Sequence, residues 1–501
     1  MTATTTSDPG PSSPGPLGPG SLDLVALRHT VTSGASADLG WRRAHLGALR
    51  RLLVEHEAEL LDAVAADVGK PRLEARLTES YVIVEEIDHL LAHLEEWTAP
   101  RPVSLPLTLR PARAHVQLQP KGVVLVVAPW NYPLQLLLTP AAGALAAGNT
   151  VVLKPSEHAP RFAALVEQLV PQYFPADVAK VVTGGVEETT ALLERRFDHI
   201  FFTGSGRVGR IVMRAAAEHL TPVTLELGGK SPTFVDDSVD LGVAARRIVW
   251  GKFTNAGQTC VAPDHVLVTR AARDRLLAEL AAAVHEFFGD DPRRSPDLGR
   301  IVDGRQHARL VELLDGAGGS VVTGGQHDAG ERYIAPTVLA DVDPGAPIMQ
   351  EEIFGPILPV ITVADHQQAI EQITSREHPL ALYVFSERED VRDAFARRTT
   401  SGGMAFGATV IQFGAPQLPV GGVGASGTGA YHGRASLEEL SHHRSVLDKP
   451  LGPDTLRVLY PPFEGLKGRV VAAATAPGWA GRPAALVREG MAKVRGLVRR
   501  G

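Results

Sequence analysis

The sequence has 501 residues, of which 44% are hydrophobic and 21% are charged, a composition typical of a soluble globular protein with about two to four domains. Its net charge of −6 argues against nucleic acid as the main partner, because nucleic-acid-binding proteins usually carry a basic stripe. The single cysteine excludes an intramolecular disulfide and a thiolate zinc site, so no metal is predicted, and it fits a reducing cytoplasm.

Both ends of the chain differ from the rest in composition. Residues 1–21 are mostly Thr, Ser, Pro and Gly, and they are predicted to be a disordered tail because they bury too little apolar surface. They lack the basic and apolar regions of a secretory signal. Residues 464–501 form a basic tail, for which a solvated helix or a disordered segment is favoured over contact with a membrane surface.

Residues 22–100 are predicted to be helical, because apolar residues recur there at helical spacing. Residues 101–119 change character, since apolar residues stand at every second position from Leu105 to Leu109. This alternation predicts two extended strands separated near Pro111. We expect them to form a hairpin arm of the kind used between subunits.

From residue 120 onward, buried strands alternate with helices. The continuous apolar run Gly122–Ala128 is typical of a strand buried on both faces, and four more strands are predicted before residue 228. Such alternation indicates a parallel, doubly wound sheet. A second alternating set from about residue 231 to residue 429 predicts another α/β domain.

The only cysteine, Cys260, follows the stretch Asn255–Thr259. A sulfur used once, beside a glycine and small polar residues, is a candidate nucleophile, although a lone cysteine is usually a small buried hydrophobe. Gly204, Gly206 and Gly209 follow a predicted strand and open a helix with the G-x-G-x-x-G spacing. That spacing suits a phosphate-binding turn, with a packing role as the alternative.

Four polar residues stand at the ends of predicted strands, where a doubly wound sheet places its ligand crevice. Lys154 and Glu157 could bond ribose hydroxyls, and the Asn131 amide could donate to an oxyanion. Glu226, shortly before two glycines, could act as a general base. Taken singly, each is better explained as a polar loop, a turn or a surface ion pair.

Together these stretches resemble the aldehyde dehydrogenase superfamily over residues 25–447. The matching segments, in family order, are Ala128–Pro133, Leu153–Glu157, Phe201–Ser205, Leu225–Pro232, Gly257–Cys260 and Glu351–Pro356. A finer resemblance points to the class 3 branch, which acts on fatty and aromatic aldehydes. It rests on Trp130–Pro133, Thr221–Thr224, Val261–Asp264 and Gly429–Gly433.

The resemblance implies an α/β, aldehyde dehydrogenase-like fold, with a Rossmann-type parallel-sheet NAD domain, an α/β catalytic domain and a β-hairpin oligomerisation arm. The expected boundaries are 22–100 with 120–227 for the NAD(P)-binding domain, 228–430 for the catalytic domain, and 101–119 with 431–463 for the oligomerisation or bridging segments. It also implies a homodimer, and we expect a cytoplasmic location.

The reaction implied by the resemblance is the NAD(P)-dependent oxidation of an aliphatic or aromatic aldehyde to the carboxylic acid. Cys260 would attack the carbonyl carbon, and the oxyanion would be held by the Asn131 amide and the Cys260 backbone N–H. Loss of hydride would leave a thioester. Glu226 would then activate water to hydrolyse it.

The resemblance also implies which residues hold the cofactor. Lys154 and Glu157 match residues that hold the adenosine ribose, and the turn of Gly204 and Ser205, with Gly209 in the following helix, matches the pyrophosphate site. Glu352 matches a residue that holds the nicotinamide ribose, and Phe354 packs beside that part of the cofactor.

The choice between NAD and NADP depends on two side chains. A carboxylate at Glu157 disfavours a 2′-phosphate, so NAD is favoured. Arg207, beside the pyrophosphate turn, leaves NADP open.

Two segments depart from the family pattern on the substrate side. Pro419–Gly422 has Val420 where the family has Phe, and Phe406–Ala408 replaces an Asn-Asp pair. The lost ring is expected to widen the substrate tunnel, and Phe406 could refill it.

Two rival functions remain on the same fold. The first is acyl transfer to coenzyme A or ester hydrolysis, against which the retained Glu226 argues. The second is a non-catalytic membrane or scaffold protein, against which Cys260, Asn131 and Glu226 argue together.

Overall fold

A computed structural model describes residues 22–106 and 109–475 of the chain. The chain divides into a larger unit, residues up to 99 with 118–443, and a smaller unit, residues 100–117 with 444 onward. The predicted N-terminal tail, Leu107 and residues 476–501 of the predicted basic tail lie outside the described residues. In the described part of the chain, no helix is long and apolar enough to cross a membrane.

The strands are numbered in chain order. They are β1 Arg101–Pro102, β2 Arg113–Pro120, β3 Val123–Val127, β4 Thr150–Lys154, β5 Ala179–Val181, β6 His199–Thr203, β7 Val223–Glu226, β8 Pro232–Val235, β9 His265–Thr269, β10 Ser320–Thr323, β11 His327–Asp328, β12 Tyr333–Ile334, β13 Thr337–Ala340, β14 Ile357–Val363, β15 Ala381–Phe385, β16 Gly403–Phe406, β17 Gly427–Thr428 and β18 Ser441–Asp448.

The α-helices are numbered in the same way. They are α1 Leu24–Thr32, α2 Leu39–Glu55, α3 Glu57–Val68, α4 Arg72–Ala75, α5 Tyr81–Thr98, α6 Gln135–Ala146, α7 Pro160–Tyr173, α8 Val186–Leu193, α9 Gly206–Ala217, α10 Leu241–Phe253, α11 Arg273–Phe288, α12 Gly304–Asp315, α13 His366–Thr374, α14 Glu389–Arg398, α15 Gly433–Glu439 and α16 Gly465–Ala474. A single π-helical turn, Arg76–Ser80, joins α4 to α5.

The first large sheet has six strands in the order β17-β7-β6-β3-β4-β5. Its five long strands run parallel, which confirms the predicted doubly wound sheet. Every residue of β3, Val-Val-Leu-Val-Val, is buried, because the strand has neighbours on both sides and helices over both faces. The edge strand β17 lies antiparallel to β7, although its residues fall within the range expected for the catalytic domain.

The second large sheet has seven strands in the order β10-β13-β14-β9-β8-β15-β16. Only the edge strand β10 is antiparallel to its neighbour. The strands predicted from the apolar runs, β9, β14 and β15, lie inside this sheet. The remaining strands have only four residues each, too few to show a hydrophobic period.

The two segments expected to serve in oligomerisation keep that role as a prediction. Within 101–119, β1 and β2 pair antiparallel, as expected for a hairpin, although over two residues only, and the described part of Leu105–Leu109, which was predicted as a strand, is not one. Prolines recur there, and proline cannot donate to a β ladder. Within 431–463, α15 packs closely on α6, since a Cβ at Gly143 would lie 2.7 Å from that of Ser436.

Candidate active site

The predicted site residues stand at one edge of the six-stranded sheet. Asn131 follows β3, Lys154 ends β4, Gly204 follows β6 and Glu226 ends β7. These four strands are neighbours and run parallel, so their carboxyl ends lie side by side. Doubly wound sheets bind their ligands at this edge.

A strained loop after α10 presents the cysteine. Asn255, Ala256 and Gly257 have positive φ angles of 53°, 51° and 74°. Residues with a Cβ adopt this left-handed conformation at a cost, so contacts elsewhere must hold the loop in place. At Gly257 a Cβ would overlap the carbonyl oxygen of Gly355, which explains the glycine. The loop of Cys260 is therefore packed directly on that backbone.

Hydrogen bonds tie Asn131 to this loop. Its Nδ2 donates to the carbonyl oxygen of Gln258 at 3.0 Å, two residues before Cys260. In return, Asn255 Nδ2 donates to the Asn131 carbonyl oxygen at 2.9 Å. Asn131 is only 3% exposed. A primary amide has two N–H groups, so the second can stabilise negative charge that develops beside the thiol.

The Cys260 side chain is partly exposed, although protein atoms enclose most of it. Burial, followed by the charges of Glu352 and Glu226, raises the pKa of the thiol to about 12, against hydrogen bonds from the backbone N–H groups of Cys260 and Val261. The resting thiol is therefore protonated at neutral pH. Because the thiolate is the nucleophile, attack on a carbonyl requires a base that removes this proton.

Glu226 has the properties of such a base. It is 3% exposed, and its Oε1 accepts no hydrogen bond. Burial, followed by the charge of Glu439, raises the pKa of Glu226 well above that of an ordinary carboxyl group. A carboxylate that is poorly solvated and faces a thiol is basic enough to accept its proton.

Glu352 is the second carboxylate whose charge acts on the thiol, and Phe354 follows it two residues later. Burial, followed by the charge of Asp264, raises the pKa of Glu352 to about 8, and its Oε1 has no hydrogen-bond partner. Its carboxylate occupies the space where Gly228 would carry a Cβ. The ring of Phe354 meets that of Trp130 edge-on, with 5.6 Å between the centroids. Glu352 Oε1 can therefore accept a hydrogen bond from a ligand hydroxyl.

Lys154 and Glu157 occupy the next strand end. Lys154 Nζ lies 3.8 Å from Glu157 Oε2 and donates to the Pro155 carbonyl oxygen at 2.9 Å. The lysine side chain is 1% exposed and the glutamate side chain 41% exposed. Burial lowers the pKa of Lys154, against the charge of Glu157. The glutamate carboxylate therefore stands open to a hydroxyl-bearing ligand.

The glycine turn opens α9. Ser205 is the N-cap residue, and its side chain accepts the Val208 N–H at 3.5 Å. A Cβ at Gly206 would contact only the Arg210 side chain, at 3.5 Å, whereas a Cβ would lie 2.6 Å from the Phe202 ring at Gly204 and 2.9 Å from Leu227 at Gly209. Gly204 and Gly209 therefore serve packing, and Gly206 leaves room for a phosphate at the helix N-terminus. With the unpartnered carboxylate oxygen of Glu352, this edge fits a dinucleotide.

The expectation for Phe406 is wrong. Phe406 lies in β16, packs with the core of the second sheet, and carries the Arg392 guanidinium 4.6 Å from its ring centre. Phe413, in the loop that follows, instead packs against the apolar cluster that also contacts Cys260. Val420, at the position where the family has Phe, is 7% exposed and pairs with Tyr431. Phe413 therefore packs on the same apolar cluster as the thiol, whereas Phe406 packs on the other one.

Three charged residues from the segment that joins α3 to α5 reach the site, and none of them was predicted from the sequence. Glu74 Oε1 accepts the Asn255 N–H at 2.8 Å, and Glu79 Oε2 accepts the Leu134 N–H at 2.9 Å. Lys70 Nζ donates to the Asn131 carbonyl oxygen at 3.0 Å. Charged residues in an amphipathic helix are expected on its solvent face. Only a charged residue at a position where the helical pattern expects an apolar one could have indicated that these side chains are buried.

Comparison with known proteins agrees with this geometry. Residues 30–446 match the model of the aldehyde dehydrogenase family. The chain is 47% identical over 437 residues to aldehyde dehydrogenase family 3 member A2 of Rattus norvegicus, covering 87% of this chain and 90% of that protein. It is 45% identical over 436 residues to the dimeric NADP-preferring aldehyde dehydrogenase of Canis lupus familiaris, covering 87% and 96%.

Solved structures show the same likeness. The substrate-bound state of Staphylococcus aureus AldH superposes with a TM-score of 0.87 at 41% sequence identity. The match covers 90% of this chain and 98% of that one.

Proposed function

The chain belongs to the aldehyde dehydrogenase family, and we propose that it oxidises apolar aldehydes with Cys260 as nucleophile, Asn131 as oxyanion donor and Glu226 as general base. Its reaction is the oxidation of an aldehyde to a carboxylic acid, with a nicotinamide dinucleotide as cofactor. One observation supports these roles for the three residues. The thiol lies where the charges of two buried carboxylates, Glu226 and Glu352, act on it, and its loop is bonded to the Asn131 amide.

In the first half of the reaction, Glu226 takes the thiol proton and the Cys260 sulfur bonds to the aldehyde carbon. The carbonyl oxygen becomes an oxyanion, which the free N–H of Asn131 Nδ2 and the Cys260 backbone N–H stabilise. The bound dinucleotide supplies the acceptor for the hydride, and a thioester remains on Cys260.

Before the second half, Glu226 releases the thiol proton to solvent. The carboxylate then takes a proton from water while the water oxygen attacks the thioester carbon. The carbon–sulfur bond breaks, the acid leaves, and the sulfur recovers a proton from Glu226. The same carboxylate thus serves both halves. Its raised pKa suits both roles, because burial makes this carboxylate a stronger proton acceptor than an ordinary one.

The dinucleotide would be held at the strand ends. Lys154 and Glu157 would hold the adenosine ribose, Gly204 and Ser205 the pyrophosphate, and Glu352 the nicotinamide ribose. We infer a preference for NAD over NADP, because the exposed Glu157 carboxylate would repel a 2′-phosphate. The Canis lupus familiaris relative is described as NADP-preferring, so this preference would distinguish the two proteins.

We expect kcat/KM to be higher with NAD than with NADP. Glu157→Gln should raise the NADP-to-NAD ratio by about fivefold, because it removes one exposed charge contact of roughly 1 kcal/mol. Initial rates with both cofactors measure the effect, and Glu187→Gln, an exposed glutamate of α8, is the control. A clear preference for NADP in the unaltered protein would contradict the inference.

An apolar substrate is supported by the surroundings of the thiol. Cys260 and Phe413 pack against one apolar cluster, and Gly414 meets Val82 of α5. Burial of each added CH₂ is worth about 0.8 kcal/mol, so kcat/KM should rise about three- to fourfold per carbon until the tunnel is filled. A panel of short-chain, long-chain and aromatic aldehydes, followed by NADH absorbance, tests the proposal. Equal kcat/KM across the panel would exclude an apolar tunnel.

The rival acyl-transfer function ends with a different acceptor. Water as acceptor requires a base near the thioester, and Glu226 is that base. Product analysis with and without coenzyme A separates the two, since only the rival forms an acyl-CoA.

We propose that the protein acts as a cytoplasmic homodimer. The single cysteine fits a reducing compartment, and a relative 45% identical is described as dimeric. Light scattering on the purified full chain measures the oligomer, and fractionation of cells that express it measures the location. A monomer, or recovery in the membrane fraction, would refute the corresponding part.

A further inference from the structure

We propose that the buried ion pair of Lys70 and Glu79 is a positioning device for the oxyanion donor Asn131. The inference rests on the proposed function, because it assumes that Asn131 stabilises the oxyanion. Both side chains of the pair are fully buried. Neither is within reach of the thiol by any hydrogen bond described above, so any effect on the reaction passes through the loops they hold.

The contacts of Lys70 all converge on the Asn131 loop. Its Nζ donates to Glu79 Oε1 at 2.6 Å and to the Asn131 carbonyl oxygen at 3.0 Å. It also lies 3.6 Å from the centre of the Tyr132 ring, which attracts the cation. An ammonium group has three N–H donors. The three donors are therefore accounted for by Glu79, the Asn131 carbonyl oxygen and the Tyr132 ring, and the last two belong to adjacent residues of this loop.

The second carboxylate oxygen of Glu79 holds the far side of the same loop. Glu79 Oε2 accepts the N–H of Leu134 at 2.9 Å and that of Gln135 at 3.4 Å. These residues begin α6, which has no side-chain cap of its own at Leu134. Glu79 therefore supplies from another element the acceptor that an N-cap residue would provide. Together, the pair fixes the chain on both sides of Tyr132.

The π turn explains how one helix reaches two loops. Glu74 and Glu79 are five residues apart, and in a regular α-helix residues at that spacing point about 140° apart. The π turn Arg76–Ser80 widens the helix locally and shifts the later residues, which brings both carboxylates towards the site. Glu74 then binds the nucleophile loop at Asn255, and Glu79 binds the oxyanion loop.

Stability alone does not account for the pair. Desolvation of two buried ions offsets most of their attraction, and apolar residues of similar volume often serve stability as well. An ion pair differs from apolar packing because its hydrogen bonds are directional, so each donor and acceptor fixes the position of a partner atom. Here the partner atoms are the Asn131 carbonyl and the first N–H groups of α6.

Loss of Lys70 should therefore displace the Asn131 amide. The backbone carbonyl oxygen of Asn131 would then accept a hydrogen bond only from Asn255 Nδ2. An oxyanion donor works only when it is aimed at the position that the charge will occupy, and a displacement of about 1 Å can cost a large part of its effect. The loss should appear in the rate of acylation and not in the binding of the dinucleotide.

The test is a double-mutant cycle of Lys70→Met with Asn131→Ala. We expect Lys70→Met alone to slow acylation, measured as the first-turnover rate of NADH formation, by about 10- to 100-fold, as loss of a supporting partner does elsewhere. In the Asn131→Ala background, Lys70→Met should cost less than about twofold more. The KM for the dinucleotide should stay unchanged in both backgrounds.

Two further variants make the outcome decisive. Arg72→Gln changes a half-exposed cation at the start of α4, two residues after Lys70, and should leave acylation unchanged. Glu79→Gln keeps the shape of its side chain and should show the same non-additivity, which provides a second route if Lys70→Met does not fold. Additive losses, or full activity of Lys70→Met, overturn the positioning role. If Asn131→Ala itself is fully active, the proposed function fails instead.

Discussion

We expect the Cys260→Ala variant to produce no measurable NADH, a fall in kcat of about 10⁴-fold or more, as when a catalytic nucleophile is removed elsewhere. The chain contains no other thiol that could form the covalent intermediate. The variant should still bind the dinucleotide, because the cofactor site at the strand ends does not use the sulfur. NADH formation and a direct binding titration with NAD measure the two properties.

The Cys260→Ala variant should also fold normally. The side chain is partly exposed, and alanine leaves only a small gap. Thermal unfolding of the variant and the unaltered protein provides the control. Full dehydrogenase activity in the variant would refute the covalent mechanism, whereas simultaneous loss of activity and of NAD binding would indicate a wider disturbance of the site.

The Glu226→Gln variant should acylate slowly, because the thiol has lost its base, and should then accumulate the thioester, because hydrolysis is slowed further. We expect a burst of NADH that approaches one equivalent per active site, followed by a steady rate lower by about 10²- to 10⁴-fold, because glutamine cannot take a proton from water. Rapid mixing with aldehyde and NAD measures the burst, and the thioester can be detected by mass spectrometry. The matched control is Glu218→Gln, which changes an exposed carboxylate just after α9.

The pH dependence follows from the same side chain. Burial raises the pKa of Glu226, and the base acts only when deprotonated, so the steady-state rate should climb with pH beyond the range of an ordinary carboxyl group. Glu226→Gln should lose this rising limb. Loss of the burst together with the steady rate would mean that the thiol has no route of deprotonation other than Glu226. An unchanged profile would assign the base to another residue.

The sheet that carries the site could be predicted because its strands are unbroken apolar runs. β3 and β6 are buried on both faces, so their sequences show no polar alternation, and the helices between them enforce parallel strands. Parallel strands present their carboxyl ends together, which places Asn131 and Glu226 at one edge. The motifs after these strands then located the site without any knowledge of side-chain contacts.

The supporting network could not be predicted, because its contacts span distant parts of the chain. Lys70 and its acceptor on Asn131 are 61 residues apart, and Glu74 and its donor on Asn255 are 181 apart. The π turn that aligns the two glutamates has no hydrophobic period of its own. Phe406 was misassigned for a similar reason, since sequence alone does not show which face of β16 a ring occupies.

Because the chain has one thiol, the amount of label bound to Cys260 measures directly the number of active sites modified. A reagent that alkylates thiols can incorporate at most one label per chain, so residual activity plotted against label should fall on a straight line. If activity reaches zero at one label per chain, every chain is catalytically active and works independently of the others. An intercept at one half would reveal half-of-sites reactivity, in which modification of one protomer silences its neighbour. The stoichiometry thus reports communication between subunits without any further substitution.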